Sequence, residues 1–91
     1  MTVVEMIEEA RRELAAGRDK QASQLLTDAV YETHDPDLER KIRELAQEGR
    51  KKAGYFGKAR WGEIIRIAEL RIAKGEGSAA AASVRADEGT G

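Results

Sequence analysis

Residues 3–36 read VVEMIEEARRELAAGRDKQASQLLTDAVYETHDP, and the spacing of the apolar positions in this stretch decides the fold. Val3, Ile7, Ala10 and Leu14 recur at steps of four, three and four, which is one stripe of a helix. Glu5, Glu8, Glu9, Arg12 and Glu13 occupy the remaining sides. Thr2 stands where an N-cap belongs, and the early carboxylates suit the positive end of the helix dipole. Gly17 is fitted to close the helix because glycine enters the left-handed region without steric cost. A second stripe, Ala22, Leu25, Leu26, Ala29 and Val30, predicts a helix from Asp19, its expected N-cap, to about Thr33. So short a connection makes the pair an antiparallel hairpin.

Downstream, Asp35-Pro36 is a helix start. Asp caps, and proline at the first helical position lacks only an N–H that would be unpaired there anyway. A third helix is expected over about 36–53, with Leu38, Ile42, Leu45, Ala46 and Gly49 on one face. Gly54 and Gly57 bracket Tyr55 and Phe56 in an expected loop. A fourth helix, about 58–74, then carries Trp61, Ile64, Ile65, Ala68 and Ile72 in one wide arc. Ile67 and Leu70 fall outside that arc, so this helix is apolar on more than one side. In a domain of this size, a second copy of the chain is the expected cover. No alternation with hairpin punctuation marks a strand. The fold class is all-α: a small four-helix domain over 1–74.

The tail, 75–91, contains one Val and no larger apolar side chain, too little to offset the entropy of ordering it, and disorder is expected there. The remaining core is marginal, and with no cysteine neither a disulfide nor thiolate metal ligation supplements it. Self-association, as a homodimer, is therefore expected. MTVVEMIEE is too interrupted by carboxylates to be a signal peptide or a membrane span, and a cytoplasmic protein is the default reading.

The first hairpin resembles a single tetratricopeptide repeat, the helix–turn–helix unit with small residues where its helices cross. Gly17 stands where that family often has its turn glycine. Ala10, Ala22, Leu26 and Ala29 match the small, small, large and small positions, and Asp35-Pro36 resembles the closing proline displaced by two residues. Met6, Glu9 and Glu13 depart from the family's Trp, Leu and Tyr, and no second copy follows in register. The resemblance spans 3–36 and implies a scaffold that binds other proteins.

A net charge of −1 hides a dipolar chain: residues 1–39 carry −6, residues 40–74 carry +7, and the tail −2. Either the halves complement each other directly, or the basic half faces an acidic partner or nucleic acid. The sharpest feature is 50–61, RKKAGYFGKARW, with Arg50, Lys51, Lys52, Lys58 and Arg60, no acid, and three of the chain's four aromatics. Basic groups interleaved with aromatics hold a nucleic-acid backbone and stack on bases. The competing reading is that the cations complement the end of the third helix while the aromatics seal the core.

Nothing points to catalysis. His34 is the only histidine, so neither a charge relay nor a histidine metal pair is available. The glutamates of the first helix are spaced as a solvated face. Gly49 and Gly54 have the spacing of a phosphate loop, but Tyr55 and Phe56 replace its Lys and Ser or Thr. Gly54 to Gly57 is a GxxG pattern without the sheet that a KH domain requires. The sequence therefore predicts a non-enzymatic, self-associating protein–protein interaction module that needs no cofactor or metal, with Tyr55, Phe56, Trp61, Ile67 and Leu70 as partner contacts. The alternative is a small nucleic-acid-binding protein using Arg50, Lys51, Lys52, Lys58 and Arg60.

Overall fold

The computed structural model describes residues 1–90 of the backbone, and side chains over 1–55 and 57–75. Four helices follow one another among the described residues: α1 (Val3–Ala15), α2 (Asp19–Glu32), α3 (Pro36–Lys52) and α4 (Tyr55–Thr90). The expectation of a disordered tail covers residues 75–91, of which 76–91 lie outside those described with side chains. None of the described helices is long and apolar enough to cross a membrane.

Local chemistry sets the helix ends. The Thr2 hydroxyl accepts the Glu5 N–H at 3.2 Å and caps α1. At the other end Gly17 takes φ +80°. The Arg18 N–H reaches the Glu13 carbonyl at 2.8 Å and the Gly17 N–H the Leu14 carbonyl at 3.1 Å, the paired bonds of a Schellman closure. The Arg18 guanidinium then folds back onto the Glu13 carboxylate. The hydrogen bond from Arg18, with the pair's Coulomb attraction adding to it and burial opposing it, holds the Glu13 carboxyl below its ordinary range. The Asp35 carboxylate accepts the Asp37 N–H at 2.9 Å, with Pro36 in the first turn of α3.

Two expectations are corrected. Asp19 is the first residue of α2, not its cap: Arg18 holds the cap position, and its side chain makes no capping hydrogen bond to α2. Tyr55 to Gly57 form the first turn of α4 instead of a loop. The Gly54 carbonyl already accepts the Lys58 N–H at 3.1 Å, leaving only Ala53 and Gly54 as the connection.

The helices pack as two hairpins, α1 with α2 and α3 with α4, and α2 lies against both helices of the second pair while α1 reaches α3. Ile7, Ala10 and Leu14 of α1 meet Ala22, Leu26, Ala29 and Val30 of α2, and Ile42, Leu45 and Ala46 of α3 close on Trp61, Ile64, Ile65 and Ala68 of α4. The alanines let the helix backbones approach closely. Glycine does so most sharply at Gly49, where a Cβ would stand 2.5 Å from Trp61 Cε2 and 2.7 Å from Cδ2 and Cζ2. The indole lies against the bare backbone of α3 and is 1% exposed. At about 3–5 kcal/mol for truncating a buried tryptophan, it is among the largest single contributors to the core.

Candidate interaction surface

The basic segment does not act as one unit, because helical geometry sends its side chains to different sides. Arg50 and Lys51, at the end of α3, and Lys58, one turn into α4, converge on a cleft between the two helices. Gln47, Ile65 and Glu69 complete its walls, and its volume is about 600 Å³. None of the three cations forms an ion pair among the described residues. Lys52 is exposed but lies outside this lining. Arg60 points to the opposite side of α4, where its Nη1 donates to the Ser23 hydroxyl of α2 at 3.5 Å.

A shallower cleft adjoins the first, sharing Gln47 and Lys51 and adding Arg11 and Lys41 together with Glu44, Leu45 and Glu48. Five cations therefore line one continuous surface, which runs from α1 across α3 to α4. Tyr55, the first residue of α4, is 86% exposed and is not among the residues lining either cleft.

The aromatic and apolar candidates separate as well. Trp61 is withdrawn from any surface role: the notch at Gly49 admits it to the core, so the tryptophan expected to meet a partner seals the α3–α4 hairpin instead. Ile67 is half-buried against the core. Leu70 is 58% exposed. The Phe56 side chain lies outside the described residues.

The charge asymmetry is not cancelled by pairing between the hairpins. The ion pairs among the described residues are Arg12–Glu9, Arg18–Glu13, Arg40–Asp37 and Arg66–Glu63. Every one is local, within one helix or between α1 and the turn after it. Exposed pairs at this spacing contribute a few tenths of a kcal/mol. None joins the acidic half to the basic cleft. His34 is exposed at the α2–α3 junction, and no group of three or more His, Asp or Glu among the described residues is placed to hold a metal ion.

Sequence reasoning passed over Gln47 and Glu69 and read Ile65 only as part of the apolar arc of α4; their place in the cleft depends on how the two helices are set against each other. It also passed over Glu39, for which a signal existed. Glu39 falls three residues before Ile42, on the face that carries Ala46 and Gly49, so a carboxylate stands in the apolar stripe of α3. It is 4% exposed, and this burial raises its carboxyl above the ordinary range, with Arg71 and then His34 pulling the other way.

No protein-family model matches the chain, and no curated protein and no solved structure matches it either.

Proposed function

We propose that the chain is a non-enzymatic helical protein–protein interaction module that takes an acidic surface into the α3–α4 cleft. The observation that carries this reading is the convergence of Arg50, Lys51 and Lys58, without ion-pair partners, around one cleft walled in part by apolar Ile65. Like charges held together repel, and an incoming anionic group relieves that repulsion. Leu70 and Tyr55 are further exposed apolar side chains of α4. The resemblance of the α1–α2 hairpin to one tetratricopeptide unit agrees with a scaffold for proteins, the second hairpin supplying the packing that further repeats give in that family.

Self-association belongs to the same reading, since the first 39 residues of a second copy carry the complementary charge of −6. Sedimentation velocity over a concentration series at low and high salt tests it. Association that weakens as salt rises is the expected result, and a strict monomer at every concentration at low salt removes the self-association.

A second reading, nucleic-acid binding, is favoured by one further observation: five cations line the two adjoining clefts, an arrangement suited to phosphates lying along α3, and α4 begins with an exposed tyrosine, Tyr55. Labelled single-stranded and duplex oligonucleotides at low salt separate the two readings. A shift lost steeply with added salt favours nucleic acid, and no shift at low salt eliminates it.

A further inference from the structure

The α2–α3 junction holds a second cleft, on a different part of the molecule from the basic surface. It has a volume of about 480 Å³ and is lined by His34, Glu39, Arg71, Lys74 and Gly75, a size in the range of small-molecule sites. Glu39 is the acidic residue of its lining, and Oε2 of the Glu39 carboxyl is buried without a hydrogen-bond partner among the described residues. Buried polar atoms in folded proteins are nearly always satisfied, so the Glu39 carboxyl keeps hydrogen-bonding capacity that the described residues do not fill.

The lining is also cationic, and it is preorganised. Arg71 Nη1 donates to the Thr33 carbonyl at 3.2 Å, and the guanidinium lies 5.8 Å from the centroid of the Tyr31 ring. Thr33 is itself fixed: it is buried, and its hydroxyl accepts the Asp35 N–H at 3.1 Å. Lys74 stands one helical turn further along α4 and has no ion-pair partner among the described residues. Arg71 and Lys74 disfavour a bare cation in the cleft, and Glu39 disfavours a bare anion. A molecule that carries both charges meets neither objection.

We infer that this cleft binds a small zwitterion of the α-amino-acid class, with its ammonium group on the Glu39 carboxylate and its carboxylate between Arg71 and Lys74. The soft terminal torsion of the Glu39 side chain turns an oxygen to the ammonium group without moving α3. The remainder of the cleft, bordered by His34 and Gly75, takes the ligand's side chain. The site is independent of the interaction surface, and either stands if the other fails.

The test is a two-dimensional amide NMR titration of the full chain at neutral pH with three probes: glycine, acetate and methylammonium. Glycine is expected to produce saturable shifts clustered at residues 33–40 and 71–75. Acetate and methylammonium, each lacking one of the two charges, are expected to bind about tenfold more weakly, the scale of losing one charge-assisted contact. Glu39→Gln is expected to weaken glycine to the level of acetate and to leave acetate itself unchanged or stronger. Lys74→Ala, an exposed position, is expected to weaken glycine and acetate alike. Thermal melting of both variants verifies that they fold. No saturable shift with glycine, acetate binding as tightly as glycine, or undiminished glycine binding by Glu39→Gln would each overturn the inference.

Discussion

The substitution Gly49→Ala probes the closest approach in the fold. The added Cβ would stand 2.5–2.7 Å from three atoms of the Trp61 indole, where carbon atoms ordinarily rest about 3.5–4.0 Å apart. Something must therefore yield by about an ångström. The indole is a rigid plate, 1% exposed, and it moves only by displacing its neighbours in the core. Overpacking of this kind costs about 1–3 kcal/mol, while replacing a mid-helix glycine by alanine returns about 0.5–1 kcal/mol. The expected net loss is about 1–2 kcal/mol, a fall in Tm of roughly 5–15 °C for a domain of this size. Gly62→Ala is the matched control. It is also a helix-interior glycine, but nothing lies within 4 Å of its added Cβ, so it is expected to stabilise by about 0.5–1 kcal/mol. Thermal and urea denaturation followed by circular dichroism measure both. Trp61→Phe, which removes part of the obstructing ring, should recover stability in the Gly49→Ala background although it destabilises the parent, a coupling that a double-mutant cycle reads directly. If Gly49→Ala proves as stable as the parent, or follows Gly62→Ala upward, the close packing of Trp61 on α3 is wrong.

Three other outcomes follow from the same geometry. Glu39→Gln should raise stability at neutral pH. Burial holds the Glu39 carboxyl above its unfolded value, so the wild-type fold is most favoured below the unfolded pKa and loses that advantage as pH rises through the folded one. The gap between variant and parent should therefore close as pH falls toward the ordinary carboxylate range, and a constant or inverted gap in melts across pH would refute the buried placement. Gly17→Ala forces an L side chain into φ +80° and should cost about 1–2 kcal/mol in urea unfolding, with helix content unchanged. Lys51→Glu combined with Lys58→Glu alters exposed positions, so it should leave Tm nearly unchanged while abolishing salt-sensitive association; undiminished association in sedimentation would move the docking surface elsewhere.

Much of the fold was legible from residue spacing because helix formation and termination are local. The stripes Ile7–Ala10–Leu14 and Ala22–Leu26–Ala29 are buried as their periodicity predicts, and the cap at Thr2, the closure at Gly17 and the Asp35-Pro36 start hold in the structure. The glycine bracket around Tyr55 misled. Glycine punctuates a chain only where no helix competes, and the turn from Gly54 to Lys58 won. The surface was half legible. Composition identified Arg50, Lys51 and Lys58 but grouped them with Arg60, which a helix rotation carries to the other side of α4.

By itself, the sequence determined an all-helical chain with a marginal core and a separated charge distribution, because hydrophobic period, capping and charge are properties of neighbours along the chain. Only the tertiary structure decided that Trp61 belongs to the core, since that required Gly49, twelve residues earlier, to present a bare backbone on a facing helix. Likewise only packing decided that no ion pair among the described residues joins the first hairpin to the second, and that Glu39 lies buried beside Arg71 and Lys74. Which charges face one another is set by the relative rotation of packed helices, and that rotation is fixed by side-chain shape across the interface, a relation between residues that are distant along the chain.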